Sequence, residues 1–264
     1  MSKKKQQSNK SRSPSYRAVL VTFFLLCSAA TLATCLWLFQ DEWRLTSIYA
    51  KSKKEAPNPE LYSVLKKDIQ SRQAQLARRY TNAQSESEKQ AIIDESRSLI
   101  LSAAPLMMRC WLGTPWDYNG TSETPGQGQI ACGYFVNTIM RDLGFNLPRI
   151  KLSQQASQII LGAYVPKEAM TIRSGMGYQA FCQLILSRPA GIYIVGLDKH
   201  VGFIVHDGSK LHFIHSSGRP PWCVVDEKQN DAPALEASTY RVFGNVTAQD
   251  ATLEKWLTKS AIYP

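Results

Sequence analysis

The chain has 264 residues, 44% hydrophobic and 20% charged, enough for one ordinary domain with appendages and too balanced for wholesale disorder. Its formal net charge of +10 invites a nucleic-acid reading, but residues 1–17 hold six basic residues and no acid, leaving 25 basic against 21 acidic residues for the remainder. The excess is confined to one end. No basic stripe with interleaved aromatics, the usual mark of a nucleic-acid-binding face, follows it, so nucleic acid is excluded as a partner.

Ala18 to Phe39 reads AVLVTFFLLCSAATLATCLWLF, 22 residues without a charge. Roughly 20 apolar residues at helical rise cross a hydrocarbon core, so this stretch is expected to be a transmembrane anchor. The basic head before it puts the N-terminus in the cytoplasm and everything after residue 40 outside. A cleaved signal peptide ending near Ser28-Ala29-Ala30 and a lipoprotein signal at Leu32-Ala33-Thr34-Cys35 are the competing readings. Each of the three exports the rest of the chain.

Residues 40–59 read as a linker. From Glu60 to Tyr80 the apolar residues Leu61, Leu65, Ile69, Leu76 and Tyr80 recur mostly four apart, the mark of an amphipathic helix. A polar break, NAQSESEK, precedes a second helical stretch, Gln90 to Ala104. The pair is open to three roles: a stalk, a helical hairpin packed on a domain, or a partner-binding element.

Beyond Pro105 the texture changes to short apolar runs broken by Gly and Pro. Residues 191–195, 200–206, 211–216, 222–225 and 240–243 read as strands. Helices first and strands second point to an α+β fold with an antiparallel sheet.

The most informative helix lies in QGQIACGYFVNTIMRDLGFNLPRI. Cys132, Phe135, Val136, Ile139, Met140 and Leu143 share one helical face, and Gly144 stands at the stop position. Cys132 is therefore placed in the first turn, where unpaired amides and the positive end of the helix dipole favour a thiolate. Of the six cysteines, Cys27 and Cys35 fall in the membrane stretch. Cys110, Cys182 and Cys223 are spaced too widely for a metal knuckle and read as buried small hydrophobes.

In HVGFIVHDGSKLHFIHSS, residues 200–217, Asp207-Gly208 signals a hairpin with a two-residue turn. That register sets His200 opposite His215, about 5 Å apart at Cβ. A four-residue loop shifts the partner by two and keeps both histidines on one face, whereas a three-residue loop separates them. One imidazole of such a pair is expected to orient the other. His206 and His212 read as solvated or edge residues. Two histidines with Cys132 could in principle bind zinc, but no further ligand is evident at suitable spacing, and no metal or cofactor is expected.

These residues, in this order, resemble the NlpC/P60 family of papain-like cysteine peptidases. LGTPWDYNGTS (112–122) is similar to the family's opening stretch, and IACGYFVNTIMRDLGFNLPR (130–149) to its nucleophile helix. KHVGFIVHDG and KLHFIHSSG are similar to its two histidine strands. The resemblance spans about residues 90–225 and implies a papain-like fold, with a helix-start cysteine packed on an antiparallel sheet. It implies Cys132 as nucleophile, His200 as general base and acid, His215 as the residue orienting His200, and Tyr118 near the oxyanion site. The implied substrate is the peptidoglycan stem peptide of a bacterial wall. The chain departs from the family in having Ala131-Cys132-Gly133 where Asp-Cys-Ser is common, and Trp116 with a single Gly120 in the opening stretch. The expected organisation is a cytoplasmic head (1–17), a transmembrane anchor (18–39), a linker and helical stalk (40–89), a catalytic domain (90–235), and a C-terminal strand and helical tail (236–264). The expected function is a membrane-anchored cysteine peptidase or amidase; the rivals are a catalytically silent wall-binding or partner-binding module and a cysteine acyltransferase.

Overall fold

A computed structural model describes residues 56–263. The basic head and the anchor expected at 18–39 lie outside the described residues, among which no helix is long and apolar enough to cross a membrane.

Two long helices lead. Helix α1 (Pro59–Asn82) starts on Asn58, whose side chain accepts the Leu61 N–H at 2.9 Å. Helix α2 (Glu86–Arg109) starts inside the polar segment 82–89. Ser85 accepts the Glu88 N–H, and the Glu88 carboxylate accepts the Gln84 N–H at 2.7 Å, a close variant of the capping box. The helix therefore begins before residue 90 and runs through Pro105. Of the three roles open to these helices, the packed hairpin is the one observed: α1 and α2 pack on each other and on the last helix, α8 (Asp250–Thr258).

Six strands form one antiparallel sheet: β1 (Thr171–Ser174), β2 (Gly191–Leu197), β3 (His200–His206), β4 (Leu211–Ser216), β5 (Val224–Lys228) and β6 (Tyr240–Asn245), in the order β1-β6-β2-β3-β4-β5. This is the α+β class expected. Every residue of β2 is buried, because helices cover both faces of the sheet. On one face Phe203 meets Phe135 of helix α3 (Cys132–Asp142) edge-on at 6.0 Å between ring centres. Two short helices, α4 (Arg149–Ser153) and α5 (Ser157–Tyr164), follow α3, and α5 lies against β2 and β6. On the other face Tyr193, Val195, Ile204, Leu211, Phe213 and Phe243 pack with Phe181 of helix α6 (Tyr178–Leu186) and with Leu235 of the single-turn helix α7 (Pro233–Glu236).

The far end of α3 is clamped. Gly144 N–H returns to the Arg141 carbonyl and Phe145 N–H to Met140, the paired bonds of a Schellman stop. Gln73 of α1 donates to the carbonyls of Gly144 and Trp256, and Trp256 Nε1 donates to the Leu143 carbonyl at 2.7 Å. Asp142, 1% exposed, accepts from Tyr62, Lys66 and Arg141. A buried carboxylate needs such partners, and these fix α3 to α1.

The hairpin departs from the expected register. Four residues, Asp207–Lys210, join β3 to β4, setting Ile204 opposite Phe213 rather than opposite Leu211. The Asp207 carboxylate causes the shift: Oδ1 accepts the backbone N–H groups of Ser209 and Lys210, so the turn centres one residue later. The shift is by two, so His200 and His215 stay on one face. His206 is corrected from a solvated residue to a buried one, 4% exposed, since β3 is interior; neither of its ring nitrogens has a hydrogen-bond partner. His212 is partly exposed and pairs with Asp226 at 2.7 Å.

Candidate active site

Cys132 is the first residue of α3. The residue before it, Ala131, offers no side-chain cap, so the first amides of the helix remain open. The N–H groups of Cys132 itself, Gly133 and Val201 face the sulfur and lower its pKa, but burial outweighs them and the thiol titrates above its ordinary value. Here desolvation weighs more against a thiolate than the open helix start weighs for one. Glycine at 133 has a steric cause, because a Cβ there would collide with the Ser153 carbonyl oxygen of α4.

His200 opens β3 beside Val201. Its Nε2 lies 2.7 Å from Nδ1 of His215, with the rings nearly perpendicular at 82°. His215, fully buried, stacks on Phe213 at 4.1 Å between ring centres. Both imidazoles are driven below their ordinary pKa by burial; for His200 the neighbouring His215 and Arg219 add to the effect. Both rest neutral at pH 7.

One participant was missed in the sequence. His215 Nε2 lies 3.1 Å from Oε2 of Glu227 on β5. Glu227 faces Phe213 across the β4–β5 ladder and so shares the face of His215. The apolar run 222–225 stops two residues short of it in the sequence. Burial, and next Asp231, push its carboxyl up to about 7, against the pull of Arg219.

A cavity of about 770 Å³ gathers the expected residues: Cys132, His200 and His215 line it, and Tyr118 stands at its rim, 80% exposed. Trp116 adds an aromatic wall, and its ring packs against Gly218. The stretch joining β5 to β6 also borders the cavity, through Ala234, Ala237 and Ser238. Ser238 and the Thr239 and Tyr240 amides hold the Asp198 carboxylate, which ties the β2–β3 turn carrying His200 to β6. Among the described residues, no group of three or more His, Cys, Asp and Glu side chains could hold a metal ion. No protein-family model matches the chain, and no curated protein or solved structure matches it.

Proposed function

We propose that this chain is a cysteine peptidase or amidase that hydrolyses peptide bonds of peptidoglycan stem peptides, held at a membrane by residues 18–39 with the described residues outside. The observation that carries the reading is one cavity lined by a helix-start cysteine and by a histidine hydrogen-bonded to a second, buried histidine. The resemblance of segments 112–122, 130–149, 199–208 and 210–218 to NlpC/P60 peptidases supports the substrate class.

In this reading His200 takes the thiol proton from Cys132 through Nδ1, the nitrogen left free by the His215 bond, and the sulfur attacks the substrate carbonyl. The open amides at the start of α3, with the Tyr118 hydroxyl, hold the oxyanion. His200 protonates the leaving amine, and water resolves the thioester with His200 again as base. His215 fixes the ring and tautomer of His200.

The test is hydrolysis of purified wall material by the full-length chain, with the released products read by mass spectrometry. Cys132→Ala is expected to release none above background. Cleavage at the parent rate by that variant would overturn the reading.

A further inference from the structure

Two hydrogen bonds run in series from the cavity into the sheet, His200 Nε2 to His215 Nδ1 and His215 Nε2 to Glu227 Oε2. Each neutral imidazole carries one ring proton and one lone pair. With Glu227 ionised, and so an acceptor only, His215 must donate from Nε2. Its Nδ1 then accepts, His200 must donate from Nε2, and the His200 lone pair is fixed at Nδ1. One carboxylate thus determines both tautomers.

We infer that Glu227 is a positioning residue and proton store for this site: its carboxylate keeps the Nδ1 lone pair of His200 free, and a proton accepted there is passed along the chain to Glu227. The step rests on the peptidase reading for the origin of that proton. The Cys132 S–H bond breaks as an N–H bond forms at His200 Nδ1. The Nε2 proton of His200 moves to His215 Nδ1, and the Nε2 proton of His215 moves to Glu227 Oε2. A thiolate, two neutral imidazoles and a neutral carboxylic acid result, with no proton gained or lost. As His200 Nδ1 gives its proton to the leaving amine, the reverse shift returns a proton through His215 to His200 Nε2 and restores the starting tautomers.

Once the proton has left the sulfur, the surroundings favour its resting on Glu227. Burial opposes a cation on either ring and opposes an anion at Glu227, so the proton is more stable on the carboxyl than on an imidazole. The charged groups near Glu227 are Asp231 after the strand and exposed Arg219 before it. Across β4 it faces Phe213 and bonds to His215, while on α6 the nearby Tyr178 hydroxyl donates to the Gln229 carbonyl. Its strand neighbour Asp226 is held by Arg109 and His212. A proton taken from solvent fills the same chain, leaving His200 protonated at Nδ1 and unable to act as base.

The experiment uses the full-length chain with ¹⁵N-labelled histidine, and long-range ¹H–¹⁵N spectra that report which ring nitrogen of each histidine bears hydrogen. In alkaline solution His200 and His215 are both expected to be protonated at Nε2. Below a common midpoint near 7, where Glu227 titrates, both are expected to be protonated at Nδ1. Glu227→Gln removes the transition and lowers kcat at least about tenfold with KM unchanged. Tautomers that stay constant across the titration in the parent, or that change identically in Glu227→Gln, would overturn the inference. The parent titration needs no variant to fold. If the tautomers switch while Cys132→Ala still hydrolyses wall peptides, the peptidase reading fails and the relay stands; if Cys132 is required and the tautomers never switch, the relay fails alone.

Discussion

Gly202 and His215 approach so closely across the β3–β4 hairpin that a Cβ at 202 would lie 2.8 Å from the His215 Cβ and 2.7 Å from the Phe213 ring. The missing side chain is what lets His215 lie flat on Phe213 and reach His200. Gly202→Ala should cost about 1–3 kcal/mol, the usual penalty for overpacking an interior, as measured by chemical denaturation. If the proposed peptidase reading holds, wall-peptide hydrolysis should fall by more than stability accounts for, since His215 must move.

Reactivity toward iodoacetamide should separate the cysteines. Cys110 and Cys182 are buried, with the Cys110 thiol pushed up to about 12 by burial. Cys132, partly exposed at the cavity, should be labelled ahead of both when modified peptides are mapped by mass spectrometry. Because burial raises its thiol pKa, labelling should be slow in mildly acidic solution and accelerate with rising pH. A fast, pH-independent reaction at Cys132 would mean a preformed thiolate.

His206 has both ring nitrogens buried without partners, a state that typically costs about 1–3 kcal/mol. His206→Leu should therefore stabilise the fold in denaturant titration, by about 1 kcal/mol after loss of some packing, with hydrolysis unchanged. A destabilised His206→Leu would indicate that the imidazole has a role in the sheet that the contacts leave unexplained.

The imidazole pair also sets an acid limit on stability. His200 and His215 have folded pKa values near 3, below the unfolded 6.5, so between these values the unfolded chain binds more protons. Their contribution is complete above about pH 6.5 and is lost as pH falls toward 3. Glu227 acts oppositely: raised from 4.5 to about 7, it favours the folded chain below 4.5, and that contribution disappears as pH rises through 7. Thermal unfolding across this range should show stability rising from acid toward neutrality. His215→Gln should flatten the acid side, and Glu227→Gln should steepen the rise on the neutral side.

Most of the site was legible because its signals are local. The apolar spacing from Cys132 to Leu143 marks one helical face, and the structure starts α3 at Cys132 and stops it before Gly144. Alternation along 200–206 and 211–216 gave both strands at their observed limits. The turn register was misjudged because Asp207 replaces a backbone acceptor with its side chain, which a dipeptide signal does not reveal. Glu227 was missed because it follows an apolar run and gains its role only from β4 alongside. Strand β1 (Thr171–Ser174), too short to show a period, is defined by its pairing with β6. The clamp of Gln73 on Trp256 joins residues too far apart in sequence for any local pattern to show it.

The position of β6 bears on biosynthesis. Residues 240–245 lie inside the sheet, between β1 and β2, so the strands made earlier cannot close up until that late segment has emerged. A chain halted upstream of Thr239 would leave two sheet edges with unmet backbone groups and would lack the Thr239 and Tyr240 amides that hold Asp198 beside the His200 strand. Assembly of the cavity around Cys132 and His200 is thereby tied to the emergence of residues 239–245: a chain halted before them would carry the thiol without the ties that position the β2–β3 turn.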